Sequence, residues 1–245
     1  MSYKNIPRLY INKELKVDTE VKLEKKDSHY LKNVLRLKPK YSIKLFNGID
    51  GEWEAKITNN NCNNLICKKL IRSQNFTDGP TLYFSLIKNH NLKWLLEKST
   101  ELGVKTLSPI LTERVNIRKF NYDKARLYIK EASEVSERIE LPALKSLKTI
   151  RELITEFDKK KHKNIYFCNE TRGDRHLSSF MKESFSKNCA FVIGPEGGFS
   201  DKEINIINSY PNVTSTKLNN RILRAETAAI YVLSIYNNYL ELSTK

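Results

Sequence analysis

The first 72 residues consist of short runs in which apolar and polar positions alternate. Such alternation is typical of half-buried β-strands, and the residues between the runs are turn formers. One segment, DSHYLKNVLRL, instead has helical spacing, with Ser28 in the position of an N-cap. We therefore predict a small β-barrel with one helix. The predicted strands are RLYI, YSIKLFN, GEWEAKIT and NLICKKLI.

The pattern changes after SQNFTDGP (residues 73–80), which has the polar composition of a domain linker. Strand-like runs now alternate with helical stretches, and the first of these helices is expected to end at Gly103 as a C′ glycine. This alternation predicts a parallel sheet with helices on both faces, in which ligands bind beyond the carboxyl ends of the strands. The strand runs are TLYFSLI, KTLSPIL, NIYFC, CAFVIG and NVTSTKL, and the later helices are expected near residues 121–138, 150–159, 176–185, 201–208 and 225–240.

Composition and charge exclude several classes of protein. The chain has 245 residues, 40% of them apolar, which is enough for a substantial core. No run approaches the roughly 18 apolar residues of a membrane span, and the first residues have no secretory signal pattern. The four cysteines match neither a zinc ribbon nor a redox pair, and the four histidines form no ligand-spaced cluster, so we expect a cytoplasmic protein without a metal.

The net charge of +15 favours a polyanionic partner such as nucleic acid. However, the chain contains 31 lysines and only 12 arginines, together with many asparagines, which indicates a general compositional bias. The arginines are therefore the more informative cations, because the planar guanidinium suits phosphate better than an ammonium group does.

One glycine-rich turn, VIGPEGGFS (residues 192–200), joins a predicted strand to a predicted helix. It lacks the pattern of a Walker or Rossmann phosphate loop, Pro195 has no N–H to donate, and Glu196 would repel an anion. A close-fitting ligand that is neutral or positively charged suits it better, although the glycines could simply form a sharp corner. The next helix begins with SDKE, which has the form of a capping box on Ser200.

A second unusual stretch is LNNRILRAETAAIYVL (residues 218–233). Here Ile222 and Leu223 stand between two arginines in a predicted loop, where an apolar pair more often lines a pocket than faces water. Glu226 then falls in the first turn of a helix. The alternative is a surface Arg–Glu pair at a well-formed helix N-terminus.

Together these two stretches resemble the RsmE family, SPOUT-class enzymes that methylate N3 of one uridine in the 16S ribosomal RNA of the small subunit. Three further segments resemble the family in the same order: HYLKNVLRL, KSTELGVKTLSPILTER and EASEVSERIELP. The resemblance implies an α/β protein with an N-terminal β-barrel: a PUA-like RNA-binding barrel over residues 1–72, then a SPOUT methyltransferase domain with a C-terminal trefoil knot over residues 73–245. It also implies a homodimer that uses S-adenosyl-L-methionine and binds the small ribosomal subunit.

The resemblance assigns roles to individual residues. Arg224 would stabilise the anion that develops on the uracil, and Glu226 would accept the N3 proton or contact the base edge. The RNA-binding candidates are Arg8, Arg36, Arg114 and Arg138, for which structural pairing is the alternative. The cofactor-binding candidates are Cys168, Glu170, Gly194, Pro195, Glu196, Gly197, Gly198, Leu218, Asn219, Ile222, Leu223 and Thr227.

Two positions depart from the family pattern. Val135 stands where the family usually has glutamine, and Asn219 stands where it usually has glycine. Because asparagine tolerates a positive φ better than other non-glycine residues, we expect Asn219 to preserve the turn in that conformation.

Three other functions stay open at this point. A ribose 2′-O-methyltransferase of the same SPOUT group would typically carry a Ser-Leu-Asn-Val signature in place of RILRAETA. A catalytically silent ribosome-binding factor would keep the fold but not take up cofactor. A hydrolase has almost no support, because no metal-ligand or nucleophile cluster is visible.

Overall fold

A computed structural model describes residues 6–76, 78–160, 163–169 and 175–243 of the chain. Its contacts divide the chain into two compact units: residues 1–76 with 133–141, and residues 77–132 with 142–245. The boundary between residues 76 and 77 falls inside the predicted linker. The return of residues 133–141 to the first unit has no signature in the hydrophobic pattern.

The first unit is built on a five-stranded sheet. In the order β1-β3-β4-β5-β2, β1 pairs with β3 in parallel and the other neighbours are antiparallel. The predicted barrel is confirmed as a curled half-barrel, with β1 and β2 at its edges. The strands are β1 (Arg8–Tyr10), β2 (Glu20–Lys22), β3 (Ser42–Phe46), β4 (Glu52–Ile57) and β5 (Asn64–Arg72).

The helix of this unit begins earlier than predicted. Helix α1 (Lys25–His29) continues into a π-helical turn (Tyr30–Val34), and its N-cap is Glu24. The prediction that Ser28 is the N-cap is wrong: its backbone N–H already donates to the Glu24 carbonyl at 3.0 Å, and its hydroxyl donates to the Asn61 carbonyl.

The second unit contains a parallel sheet in the order β12-β10-β11-β6-β7-β8, with β9 also pairing with β7. The α/β prediction is therefore confirmed. The strands are β6 (Thr81–Ser85), β7 (Thr106–Leu111), β8 (Ala143–Leu144), β9 (Lys148–Thr149), β10 (Asn164–Cys168), β11 (Cys189–Ile193) and β12 (Val213–Thr216). The helices are α2 (Asn89–Glu101), α3 (Tyr122–Val135), α4 (Ile150–Lys160), α5 (Leu177–Ser184), α6 (Asp201–Asn208) and α7 (Ala225–Leu242), and the last residues of α3 group with the first unit.

The register of the parallel strands places their carboxyl ends side by side. Cys168, the last residue of β10, lies beside both Ile193 of β11 and Thr216 of β12. Ile193 in turn lies beside Phe84 of β6. The loops that follow these strands therefore leave the sheet at one edge, where parallel α/β proteins bind ligands. None of the helices in the described residues is long and apolar enough to cross a membrane.

Candidate active site at the carboxyl edge of the sheet

The glycine-rich turn after β11 is closed by a hydrogen bond from the Gly198 N–H to the Pro195 carbonyl at 3.0 Å. Gly198 has φ +67°, a left-handed conformation that strongly favours glycine. Gly194 is needed for a different reason, because a Cβ at this position would lie 2.7 Å from the ring of Phe199. A Cβ at Gly197 would lie 3.0 Å from the Arg114 carbonyl oxygen. The turn is thus packed tightly against its own chain.

The carboxylate in this turn faces the N-terminus of a helix. Glu196 is exposed, and its Oε1 accepts a long hydrogen bond of 3.5 Å from the backbone N–H of Lys88, the N-cap residue of α2. The N-terminus of a helix stabilises negative charge. The loop after β6 and the turn after β11 therefore meet at the sheet edge.

The capping box predicted on Ser200 is confirmed. The Ser200 hydroxyl accepts from the Glu203 N–H at 3.2 Å, and Glu203 Oε2 accepts from the Ser200 N–H at 2.9 Å. The other oxygen of Glu203 accepts from the Glu113 N–H at 2.8 Å. A buried carboxylate thus ties the start of α6 to the loop that follows β7.

The segment after β12 runs beside the segment that precedes α5. The Lys217 N–H donates to the Arg175 carbonyl at 3.0 Å, and the Leu177 N–H donates to the Lys217 carbonyl at 2.9 Å. Leu218 is buried. The expectation that Asn219 adopts a positive φ is wrong. Its side-chain oxygen instead accepts from the Arg221 N–H at 3.0 Å, so the side chain shapes the turn through a hydrogen bond.

A pocket of about 500 Å³ lies between this segment and two helices. Ile222 and Leu223 line it, as predicted, although Ile222 is still 85% exposed. The other lining residues are His90, Asn91 and Trp94 of α2, Arg224, and Glu226, Thr227 and Ile230 of α7. The glycine turn is not among them.

Glu226 is the most unusual group in this pocket. It is only 9% exposed, and its Oε2 has no hydrogen-bond partner among the described residues. Arg224, the adjacent N-cap residue of α7, is exposed and its side chain makes no capping bond. Because burying a carboxylate oxygen without a donor is costly, Glu226 is a candidate acceptor for a hydrogen bond from a ligand.

Three lining residues were missed by the sequence interpretation. His90, Asn91 and Trp94 are spaced so that they share one face of α2. The sequence contained a signal: Leu92, Leu95 and Leu96 form an apolar stripe at helical spacing, and Trp94 stands off it. In the structure those leucines are buried and Trp94 is 55% exposed. Trp94 and the exposed Ile222 line the same pocket, and adjoining exposed apolar residues of this kind mark a binding surface.

The remaining cofactor candidates lie on or near β10. Cys168 is its last residue, and burial raises the pKa of its thiol. Glu170 lies outside the described residues. The strand that ends at Cys168 thus lies between the strands that lead to the glycine turn and to the segment from Leu218 to Leu223.

Arg8 has a structural role. Its Nε donates to Glu52 at 2.6 Å, and its other nitrogens donate to the carbonyls of Ser133, Glu134 and Arg138 at 2.7–3.0 Å. The residue is 9% exposed and Glu52 is 1% exposed. Since its donors are used inside the first unit, we assign Arg8 to the fold rather than to an RNA contact.

Of the other three candidate arginines, one has a buried side chain and two are exposed. The Arg138 side chain is buried with its Nη2 3.7 Å from Glu140, and burial lowers the pKa of its guanidinium, so we assign Arg138 to the fold as well. Arg36 and Arg114 are exposed. Arg36 also has φ +54°. Val135, the first departure from the family pattern, is 80% exposed at the end of α3.

Comparison with known proteins identifies the family. Residues 78–237 match the RNA methyltransferase domain family, and residues 23–70 match the RNA methyltransferase PUA domain family. The ribosomal RNA small subunit methyltransferase E of Rickettsia conorii is 32% identical, and the match covers 93% of each chain. This chain belongs to the RsmE family. A second RsmE, from Buchnera aphidicola subsp. Schizaphis graminum, is 29% identical over 94% of this chain and 95% of its own.

A solved RsmE structure shares the fold. The enzyme of Neisseria gonorrhoeae, crystallised with S-adenosyl methionine, has a TM-score of 0.82 and 25% identity. The match covers 96% of this chain and 98% of that enzyme. Both RsmE domains are therefore present here.

Proposed function

We propose that this protein transfers a methyl group from S-adenosylmethionine to N3 of one uridine in 16S ribosomal RNA, the equivalent of uracil 1498. The observation that carries this proposal is Glu226, which lines the pocket beside the exposed Arg224 and has a buried Oε2 without a partner among the described residues. The N3–H group of uracil supplies the kind of hydrogen-bond donor that this oxygen lacks. Membership of the RsmE family supports the same reaction.

The glycine turn fits the cofactor. Nothing lies within 4 Å of the position that a Cβ would occupy at Gly198, so this part of the turn faces open space. Its exposed carboxylate, Glu196, suits a positively charged sulfonium and not a phosphate. When bound, S-adenosylmethionine supplies an electrophilic methyl group. We propose that it is held by the residues assigned from the resemblance: Cys168, Glu170, Gly194 to Gly198, Leu218, Asn219, Ile222, Leu223 and Thr227. The threading of this segment as a trefoil knot is part of the same proposal.

Two side chains would then act on the uracil. Glu226 Oε2 would accept the N3 proton as the N3–H bond breaks. N3 would bond to the methyl carbon while the bond from that carbon to the sulfonium sulfur breaks, and S-adenosylhomocysteine leaves. The Arg224 guanidinium supplies fixed positive charge to the anion that develops on the ring. The target base must leave any duplex, because N3 lies on its Watson–Crick edge.

The substitution Arg224→Ala tests this assignment. We expect the methylation rate to fall by about 100-fold or more, the loss typical of removing one donor to a developing anion. The affinity for S-adenosylmethionine should stay within about threefold, because we assign Arg224 to the RNA base. Radiolabelled methyl transfer and calorimetric titration measure the two quantities. The matched control is Arg126→Ala, which removes an exposed arginine of α3. Near-normal turnover in Arg224→Ala would eliminate this role.

The reaction itself is tested on the RNA. Small-subunit ribosomal RNA from cells with and without the gene is digested and mapped by mass, and the nucleosides are separated by chromatography. We expect the deletion to remove one N3-methyluridine and the wild-type gene to restore it. Loss of a 2′-O-methyl nucleoside instead would identify a ribose methyltransferase. An unchanged map would indicate a binding factor without catalysis.

The assembly and the RNA surface belong to the same proposal. We expect a homodimer, as in the RsmE family, acting on the small ribosomal subunit in the cytoplasm. The exposed Trp94 and Ile222 at the pocket support a macromolecular partner there. Arg36 and Arg114 are kept as RNA contacts because both are exposed.

A further inference from the structure

The loop after β7, residues 112–121, carries three exposed cations, and its start lies next to the glycine turn. Arg114, Arg118 and Lys119 are all exposed, and none of them forms an ion pair with another described residue. The loop contains a single acid, Glu113, so its formal charge is +2. The backbone of Arg114 lies close against Gly197, which places the start of this loop beside the proposed cofactor turn.

Buried anchors hold this loop in place. Val115 is buried, and the buried ring of Phe120 packs on Phe84 and Tyr122 with centroid distances of 6.2 and 4.8 Å. At the start of the loop, the Glu113 N–H is held by the buried Glu203. The unpaired cations therefore stand on a fixed backbone, and ordering them on a ligand costs less conformational entropy than ordering a mobile loop.

We propose that Arg114, Arg118 and Lys119 form a phosphate clamp that binds the RNA backbone flanking the target nucleotide. This inference rests on the proposed function. An extruded base needs its neighbouring phosphates held in register, and backbone contacts supply that positioning without reading sequence. Arg118 and Lys119 are the new assignments, since the resemblance pointed only to Arg114.

The test compares two double variants of equal charge change. Arg118→Ala with Lys119→Ala removes most of the clamp. The matched control, Lys163→Ala with Lys187→Ala, removes two exposed lysines that precede β10 and β11, at the opposite edge of the same sheet. The substrate is small ribosomal subunits from cells that lack the gene. Filter binding measures affinity for the subunits, and radiolabelled methyl transfer measures kcat and KM, each across about 50 to 200 mM salt.

We expect the clamp variant to raise the Kd and KM for subunits while kcat and the affinity for S-adenosylmethionine stay within about twofold. The slope of log affinity against log salt should fall in magnitude by about 0.7 to 0.9 for each lost phosphate contact. The control variant should lose much less affinity. Equal losses in both variants, or a fall in kcat alone, would overturn the clamp.

The methyl-transfer proposal and the phosphate clamp can be refuted independently of each other. Wild-type protein that binds subunits but never methylates them would refute the methyl transfer. The binding measurements would still decide for or against the clamp.

Discussion

At the scale of single residues, the glycine turn shows how different constraints select the same amino acid. Gly198 has a positive φ, which favours glycine. At Gly194 a larger residue is excluded because its Cβ would collide with the Phe199 ring. The sequence could show that glycines were clustered there. It could not separate these two reasons, because one depends on a local dihedral and the other on a packed neighbour.

The substitution Gly194→Ala tests the packing reason. The new Cβ would lie 2.7 Å from a buried ring, so we expect the free energy of unfolding to fall by about 1–3 kcal/mol, as for other overpacked sites. Urea denaturation measures it. A second substitution, Phe199→Leu, should cost less in the Gly194→Ala background than in the wild type. Additive losses would argue against the contact.

Asn219 acts through its side chain. Since its oxygen accepts from the Arg221 N–H and its φ is not positive, we expect Asn219→Asp to bind S-adenosylmethionine nearly as well as the wild type. Both Asn219→Ala and Asn219→Gly should lose the hydrogen bond and bind several-fold more weakly, in line with about 0.5–1.5 kcal/mol for one such bond. Isothermal titration measures the affinities. Wild-type affinity in Asn219→Gly would restore the backbone explanation.

At the scale of elements, helix ends were the most predictable features. Gly103 follows α2 with φ +81°, as the C′ prediction requires, and α6 begins with the predicted capping box. Both signals involve residues three or four positions apart, so the sequence contains them completely. The start of α1 was misjudged because Glu24 caps that helix without a side-chain hydrogen bond, which leaves no polar signature to read.

The capping box gives a stability prediction. We expect Ser200→Ala to lower the free energy of unfolding by about 1 kcal/mol, the usual cost of an N-cap. Glu203→Ala should cost more, because it leaves the N–H groups of Ser200 and Glu113 without their acceptor. Ser209→Ala, at the other end of α6, is the control and should stay within about 0.5 kcal/mol. Chemical denaturation of all three variants measures these costs. Equal effects at both ends of the helix would contradict the capping role.

At the scale of the whole molecule, buried electrostatics hold the discontinuous first unit together. Arg8 reaches from β1 to carbonyls about 125 residues later, and Glu52 binds both Arg8 and Arg72. Removing only one partner of such a buried ion pair lowers the free energy of unfolding by several kcal/mol, because the other charge is left without compensation.

The substitution Arg8→Ala separates a structural arginine from an RNA-binding one. We expect the free energy of unfolding to fall by about 3–5 kcal/mol, since Glu52 would remain buried with one cation fewer. Arg8→Lys should restore little, because an ammonium cannot match the fork of contacts. Lys16→Ala, which breaks an exposed pair with Glu14, should cost less than about 1 kcal/mol. Thermal and urea unfolding measure the loss. Unchanged stability with weakened RNA binding would reverse the assignment.

The sequence by itself determined the longer strands and the helices in order, the capping box on Ser200, the end of α2 at Gly103, the glycine turn and the family resemblance, but not the short strands β2, β8 and β9. These features depend on hydrophobic period and on residues close together in the chain. Only the tertiary structure decided which arginines are buried, that Glu226 lacks a partner, and that α2 lines the pocket with the segment after β12. The physical reason is separation along the chain: Arg8 binds Glu52 and Ser133, which are 44 and 125 residues away. No local pattern records whether a polar group finds its partner.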